Sequence, residues 1–142
     1  MRRRDDPQVV AWFAKVADDL ETSERLLKDA PHLAAVIQFH SQQAAEKTLK
    51  ALLTALDVPV PKTHDLDVLV TQLLPHAPEL ATVRDAASWL APFAVDSRYP
   101  SFVQPDANPE ATARQALEYA RSVLEAVETL LSRGVSTEDD EA

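Results

Sequence analysis

The sequence predicts an all-α fold, an antiparallel up-and-down bundle of four to five helices. In several long segments, apolar residues recur at steps of three and four, the spacing that places side chains on one helical face. No segment alternates polar and apolar residues over the length of a strand, and no repeat of solenoid length occurs. Long helices with short connections pack most simply as antiparallel neighbours, so we expect one domain over residues 1–134. Residues 135–142 are expected to form an acidic, disordered tail.

The composition excludes several classes of protein. The chain has 142 residues, of which 46% are hydrophobic, and it contains no cysteine. Disulfides and thiolate metal sites are therefore excluded, and nothing indicates export to an oxidising compartment. No apolar run approaches the length of a membrane span, and the first residues, MRRRDDPQVV, lack the apolar core of a signal peptide. We therefore expect a cytoplasmic protein without membrane association.

The formal net charge of −9 limits the ligands that the surface can attract. Sequence-independent binding of nucleic acid draws its affinity from many lysine and arginine contacts to phosphate, and an acidic chain does not favour it. The tail carries four of the acidic residues, and removing their charge from −9 leaves −5 for the rest of the chain. This balance still allows a local cationic pocket.

The first predicted helix begins at Asp6 and Pro7 and runs to Asp29. A carboxylate can cap free amide groups, and the fixed φ of proline suits the first helical position. Its apolar stripe consists of Val9, Phe13, Val16, Leu20 and Leu27. Trp12 lies at the edge of this stripe, where its ring can close the core or contact a partner, and we favour the core.

The second predicted helix has the strongest apolar pattern in the chain and should be the central helix of the bundle. It opens after Pro31 and covers the stretch from Ala34 to about Leu56. Its broad apolar stripe consists of Val36, Ile37, Ala44, Ala45, Leu49, Leu52, Leu53 and Leu56. On another face, Gln42, Glu46 and Lys50 follow one another at four-residue steps. Glu46 and Lys50 have the favourable acid-before-base order, which adds about 0.2–0.5 kcal/mol on an exposed helix.

A proline-containing linker, VPVPKT, separates this helix from a short third one. Thr63 is the predicted cap, with Asp65 and Asp67 in the first turn, where the helix dipole favours negative charge. Pro75 ends the pattern. The core-facing residues of this helix are Leu66, Leu69, Val70, Leu73 and Leu74.

A fourth helix is predicted to start at Pro78. Pro92 lies inside its apolar pattern and disfavours helical geometry at Ala91, so the helix should end or kink there. The residues in phase are Leu80, Val83, Ala87, Leu90 and Ala94.

The segment that follows, FAVDSRYPSFVQPDAN, is the only long irregular stretch in the sequence. Connections longer than about 12–15 residues without secondary structure are uncommon and often functional. Asn108, Pro109 and Glu110 then supply a cap, a first-position proline and a first-turn acid for a last helix, which Gly134 should end. The apolar residues of this helix are Ala113, Ala116, Leu117, Ala120, Leu124, Val127 and Leu131.

Common enzyme motifs are absent from the sequence. The single glycine, near the C-terminus, excludes glycine-rich phosphate loops, and neither GxSxG nor HExxH occurs, so we expect no cofactor and no metal site. His40 lies beside the apolar stripe, and we interpret it as a hydrogen-bonded core or interface group. His64 falls in the first turn of the third helix, where a surface role and a role in a site are equally plausible.

The remaining candidates for a site are two lysines, a histidine, an arginine and a tyrosine. They are Lys47, Lys50, His64, Arg98 and Tyr99. They can meet only if the irregular segment folds back over the second and third helices. Composition does not decide whether it does.

The pattern that contains these residues resembles the HEPN family, helical domains named for nucleotide binding in higher eukaryotes and prokaryotes. The specific segments are QQAAEKTLKALL and KTHDL, and the rest of the match is ordinary amphipathic helix. The matching residues are Trp12, Ala17, Asp19 and Leu20, then Phe39, Gln42, Gln43, Ala44, Ala45, Glu46, Lys47, Lys50 and Ala51, then Thr63, His64, Asp65 and Leu66, and finally Arg98, Tyr99 and Pro100.

The resemblance implies a small up-and-down bundle that forms homodimers and is often encoded beside a minimal nucleotidyltransferase, as a toxin–antitoxin-like pair. Many members of the family are metal-independent ribonucleases that use an arginine followed four to six residues later by a histidine. In that motif, imidazole moves the 2′-hydroxyl proton while guanidinium stabilises charge on the phosphorane. Here Arg98 is followed by YPSFVQPDAN, and no histidine occurs after His76. The ribonuclease motif is therefore missing from this chain.

Three interpretations of the site candidates stay open. The favoured one is a non-catalytic binding module that engages a nucleotidyltransferase and a nucleotide or other phosphate. The second is a ribonuclease toxin with a rebuilt site, in which His64 replaces the missing histidine and RNA is the ligand. In the third, all of the polar groups are structural, and Arg98 pairs with Asp96 or Glu46. Catalysis needs an acid, a base and a charge stabiliser placed together, and only one member of the motif is in place.

Overall fold

The computed structural model describes residues 1–95 and 106–133. These residues form five α-helices, two 3-10 helices and no strand, which confirms the predicted all-α antiparallel bundle. The α-helices are α1 (Pro7–Asp29), α2 (Ala34–Ala55), α3 (Leu66–Leu73), α4 (Arg84–Leu90) and α5 (Pro109–Arg133). Most of the predicted irregular segment, residues 96–105, lies outside these ranges, as do the expected cap Gly134 and the acidic tail.

The two longest helices begin at the residues that their caps predict. The Asp6 carboxylate accepts the backbone N–H of Gln8, with Pro7 in the first helical position of α1. At α5, the Asn108 side chain accepts the N–H of Ala111 at 3.2 Å. In both helices, the capping side chain accepts an N–H group of the first turn that has no acceptor within the helix, and this fixes where the helix starts.

The start of α2 agrees with the sequence pattern, and the start of α3 does not. α2 begins at Ala34, the first residue of the predicted helical stretch, and no side chain caps it. α3 is capped by Asp65 instead of Thr63: its carboxylate accepts the N–H of Asp67 at 2.9 Å, while the Thr63 hydroxyl accepts the N–H of Asp65. Because the backbone at Asp65 is still extended, the helix begins one residue later. His64 therefore lies before α3 and not in its first turn.

The predicted fourth helix is divided into three pieces. A 3-10 helix over Pro78–Val83 leads into α4, and a second 3-10 helix covers Ala91–Ala94. The end of α4 at Leu90 confirms the effect expected of Pro92. All of the residues predicted to be in phase are buried: Leu80, Val83, Ala87, Leu90 and Ala94.

α2 is the central helix, as predicted, and it packs against α1, α3, α4 and α5. Its apolar stripe is buried with two exceptions, since Val36 is 39% exposed and Leu56 is partly exposed. The face that carries Gln42, Glu46 and Lys50 is buried as well. The sequence predicted an exposed ion pair between Glu46 and Lys50, and the exposure is wrong. Neighbouring helices on several sides leave α2 without a broad solvent face, which explains this difference.

Trp12 closes the edge of the core. Its ring packs against the main hydrophobic cluster, and its Nε1 donates to the Thr54 hydroxyl at 2.9 Å. The bond joins α1 to the last turn of α2 and satisfies the polar edge of the indole. The core placement favoured for Trp12 is therefore confirmed.

A left-handed residue ends α2 and turns the chain back toward α3. Asp57 has φ 57°, a conformation for which glycine is the usual choice, and its N–H bonds to the carbonyl of Thr54. Its carboxylate accepts from Arg2 at 2.8 Å. This turn starts the linker that brings His64 beside the middle of α2.

Candidate functional site

Two buried carboxylates organise the polar side chains around α2. Asp19 from α1 is 7% exposed and Glu46 from α2 is 3% exposed. Each carboxylate binds one imidazole and one ammonium group. We call Asp19, His40 and Lys47 the Asp19 cluster. The Glu46 cluster consists of Gln42, Gln43, Glu46, Lys50 and His64.

The Asp19 cluster joins α1 to α2. His40 Nδ1 lies 2.9 Å from one carboxylate oxygen of Asp19, and Lys47 Nζ lies 2.6 Å from the other. His40 and Lys47 are seven residues apart, so they lie on the same face of α2, the face that packs against α1. Both side chains are about one-quarter exposed, at 29% and 24%. The cluster is therefore at the edge of a helix–helix contact and open to solvent on one side.

The Glu46 cluster joins α2 to the residues before α3. Lys50 Nζ donates to one carboxylate oxygen at 3.1 Å, and His64 Nδ1 lies 3.0 Å from the other. The side-chain amides of Gln42 and Gln43 also donate to that second oxygen, each at 3.4 Å. These four donors satisfy a carboxylate that would be costly to bury alone.

His64 is held at two points while its ring remains accessible. Gln42 Nε2 donates to the His64 backbone carbonyl at 3.0 Å, and Glu46 binds the ring at Nδ1. The His64 side chain is nonetheless 63% exposed. In residues 1–95 and 106–133, no group bonds to its Nε2. The structure thus presents an imidazole of fixed orientation at the surface.

The ion pairs limit the positive charge that the two lysines can offer. Lys47 is balanced by Asp19 and Lys50 by Glu46, so each cluster is neutral unless its imidazole is protonated. The ammonium groups retain N–H donors for a ligand, but they are not free cations. Lys50 is also largely buried, with a side chain only 10% exposed.

The structure brings together two of the five predicted site residues. Lys50 and His64 share Glu46, whereas Lys47 binds Asp19 in the other cluster. Arg98 and Tyr99 lie outside the described residues, so their meeting with the other three stays a prediction.

Sequence reasoning did not select Asp19, His40 or Glu46 as members of a site. The four-residue spacing of Gln42, Glu46 and Lys50 was a usable signal for Glu46. Asp19 matched the family pattern, but no spacing linked it to His40, because their contact joins residues 21 positions apart on different helices.

The described residues offer no other obvious centre of chemistry. They contain no group of three or more histidine, aspartate or glutamate side chains that can hold a metal ion. An open groove of about 510 Å³ is lined by residues 1–5, Val10 and Leu131, away from both clusters. Its three arginines are paired with carboxylates: Arg2 with Asp57, Arg3 with Asp5, and Arg4 with Glu128. No helix in these ranges is long and apolar enough to cross a bilayer.

The architecture is that of a small helical domain in which a central, largely buried helix carries the polar residues. The model of the HEPN domain family matches residues 9–130. The chain therefore belongs to the HEPN family, as the resemblance predicted.

Two solved structures are similar to this chain. The protein TT1696 from Thermus thermophilus has a TM-score of 0.75 at 25% identity, and the match covers 87% of this chain and 98% of that one. ST0689, described as an archaeal HEPN homologue, has a TM-score of 0.67 at 24% identity, with coverage of 92% and 99%. The second likeness shows the fold alone. No curated protein matches the chain.

Proposed function

We propose that this HEPN protein is a non-catalytic binding module, the partner of a minimal nucleotidyltransferase in a toxin–antitoxin-like pair. Its own ligand is a nucleotide or another phosphate. The binding surface consists of Lys47, Lys50, His64, Arg98 and Tyr99. Membership of the family supports the partner, and the absence of the Arg-x4–6-His motif from the sequence supports a module without catalysis.

The observation that carries the site is the exposed, doubly held His64, which shares the Glu46 carboxylate with Lys50. Lysine N–H groups donate to the oxygens of a phosphate, and so does the Nε2–H of an imidazole in its protonated form. Arg98 would add a planar guanidinium that binds phosphate oxygens in pairs, and Tyr99 would add a ring on which a base can stack. Since Lys47 and Lys50 are balanced by carboxylates, Arg98 would supply most of the net positive charge.

A thermal-shift screen with mono-, di- and triphosphate nucleotides tests the site. We expect nucleotides to raise the melting temperature of the wild type, and Arg98→Lys to keep the fold while weakening that response. Arg84→Lys is the matched control, because Arg84 is an exposed arginine at the start of α4. A flat screen combined with a destabilised Arg98→Lys variant would show that Arg98 is structural and would remove it from the site.

Co-purification from the native host tests the partner. We expect mass spectrometry of the purified complex to find a nucleotidyltransferase in stoichiometric amount. Recovery of this chain alone, at expression levels set by its own promoter, would contradict the partnership.

We further propose that the protein is a homodimer. The breadth of apolar surface that the sequence predicts on the first, second and last helices motivates this proposal, together with membership of the family. A two-fold contact is the commonest way to cover such a surface. Light scattering at micromolar concentration should give twice the chain mass of 15.6 kDa, and a single species at that chain mass would contradict a dimer.

A metal-independent ribonuclease is the second candidate, and the contact between Glu46 and His64 is the observation that favours it. A carboxylate that orients an imidazole is a common arrangement for proton transfer. Under the favoured proposal, purified protein does not cleave RNA. Cleavage of single-stranded RNA that resists chelators and is lost in Arg98→Ala or His64→Ala would establish the ribonuclease instead.

A further inference from the structure

We propose that residues 1–6 act as an N-terminal strap that holds the turn at Asp57, and through this turn the linker, residues 58–63, that presents His64. The strap is fastened by exposed ion pairs, so salt loosens it. The inference rests on the proposed function only where it concerns the ligand of His64. It adds a conformational control at the end of α2, outside the proposed binding surface.

The strap supplies the group that completes the end of α2. The last four carbonyls of an α-helix have no N–H partner within the helix and need one from outside. Three of these carbonyls in α2 accept N–H groups of the turn itself, residues 56–58. The fourth, that of Ala55, accepts the N–H of Arg2. The strap therefore closes a helix end that the turn by itself leaves incomplete.

Asp57 gives the strap a side chain to hold. The hydrogen bonds of the turn are those of a Schellman motif, in which the left-handed residue is usually glycine because a Cβ is unfavourable there. Asp57 occupies this position with φ 57°, and its carboxylate accepts the Nε–H of Arg2 at 2.8 Å. Glycine would suit the backbone better, but it would offer Arg2 no partner. The contact with the strap thus gives the carboxylate a role at this position.

Arg4 fastens the strap to two other helices. Its guanidinium lies 3.7 Å from the centre of the Phe13 ring in α1, and its Nη2 lies 3.2 Å from the Glu128 carboxylate of α5. The open groove of about 510 Å³ lies beside these attachments, lined by the strap together with Val10 and Leu131. The strap is therefore held at a few points and is not packed along its whole length.

The ion pairs that tie the strap to the bundle are exposed. The side chains of Arg2 and Asp57 are 35% and 58% exposed, and those of Arg4 and Glu128 are both 42% exposed. Salt screens the attraction between such charges, and each pair contributes little. The strap can therefore open at its ion pairs while the core of the bundle stays folded.

The linker connects the turn to His64. Pro59 and Pro61 fix their own φ and restrict the residues before them, so the linker is stiff. Its two valines pack against the main hydrophobic cluster, and Gln42 binds the carbonyl of His64 at the far end. Release of the strap removes the restraint at the turn and leaves the other two. A less restrained His64 costs more entropy to order when a ligand binds.

Amide hydrogen exchange tests the strap without any ligand. The reporter is Val58, whose N–H bonds to the carbonyl of Leu53 in the turn, and its exchange measures local opening. In Arg2→Gln, we expect this amide to exchange about threefold faster, the size of effect that an exposed ion pair gives. Concentrated sodium chloride should speed the exchange in the wild type and have little effect in the variant.

Arg3→Gln is the matched control. It removes the same charge from the strap, but Arg3 pairs with Asp5 inside the strap and not with the turn. We expect it to leave the exchange of Val58 unchanged. Equal exchange of Val58 in the wild type and Arg2→Gln would overturn the inference, as would the same acceleration in both variants. The amide of Val16, in the middle of α1, shows whether the bundle as a whole has been destabilised.

Asp57→Gly separates the ion pair from the backbone of the turn. Glycine suits the left-handed conformation and removes the carboxylate that Arg2 binds. In this background, Arg2→Gln should have no further effect on the exchange of Val58. An undiminished effect would show that Arg2 does not act through Asp57 and would overturn the contact that the strap depends on.

Binding of ATP, used as the probe, tests the presentation of His64. We expect Arg2→Gln to weaken binding about twofold and Arg3→Gln, which has the same net charge, to leave it unchanged. Equal affinities in the two variants would overturn the effect of the strap on His64 and leave the proposed function in place. A wild type that does not bind ATP would overturn the proposed function, while the exchange of Val58 would still decide whether the strap holds the turn.

Discussion

The Asp19 cluster and the Glu46 cluster contain the same three kinds of group but connect different parts of the fold. In the first, the carboxylate belongs to α1 and both of its partners belong to α2, so the contact fastens two long helices. In the second, the carboxylate and the ammonium belong to α2, and only His64 comes from another segment. His40 is held at a helix contact, while His64 is held at the surface. The same chemistry thus serves helix packing in one place and presents an accessible ring in the other.

The largest expected effect is the loss of the Glu46 carboxylate. Glu46→Ala leaves Lys50, which is 8% exposed, as a buried charge without a partner. Breaking such a pair costs about 3–5 kcal/mol of unfolding free energy, which urea denaturation measures. The double change Glu46→Leu with Lys50→Met removes both charges and should recover most of that loss. A double variant as unstable as the single one would show that the cost does not come from the unpaired lysine.

A smaller effect is expected at the other carboxylate. Asp19→Ala should lower the unfolding free energy by about 1–3 kcal/mol, because Lys47 can turn toward water once its partner is gone. Asp18→Ala, at an exposed neighbouring position on α1, is the matched control and should change stability by less than about 0.5 kcal/mol. A larger loss of unfolding free energy at Asp19 than at Glu46 would show that the burial of the carboxylate does not determine the size of the loss.

Removing each histidine in turn should lower stability more in the Asp19 cluster than in the Glu46 cluster. His40→Ala removes a part-buried bond between α1 and α2 and should cost about 1 kcal/mol. His64→Ala removes an exposed ring and should cost less than about 0.5 kcal/mol, since Lys50 and two amides still bind Glu46. Parallel urea titrations decide this. Equal losses would show that His64 supports the fold as much as His40 does.

The smallest effect concerns the acid titration of stability at Asp106, an exposed carboxylate just before α5 that belongs to neither cluster. A hydrogen bond from Thr112 and the N–H of Asn108 lower the pKa of Asp106 below its ordinary value of 3.8. Because the folded-state pKa is the lower one, the stabilisation is present above that value and is lost as pH falls through the folded pKa. Asp106→Asn should remove this pH dependence of the unfolding free energy between the folded-state and unfolded-state pKa of Asp106. An unchanged acid limb in that variant would exclude the contribution of Asp106.

The sequence predicted the helices better than it predicted their polar contacts. The caps at Asp6 and Asn108 and the break before Pro92 were read correctly, because each depends on neighbouring backbone groups. The cap of α3 was misplaced because Thr63 and Asp65 both close a turn two residues ahead, and only the backbone torsions choose between them.

The sequence alone thus determined the class of the fold, the central place of α2 and membership of the family, since periodicity and local capping depend on residues a few positions apart. The tertiary structure decided what the polar residues do. Asp19 meets His40 and Lys47, and Glu46 meets His64, only because packing places separate segments side by side. Burial on several faces of α2 also placed Glu46, which the sequence pattern put on an exposed polar face, inside the bundle, where its donors satisfy it. No spacing along the chain encodes such contacts, because they depend on which faces of different helices come to lie against each other.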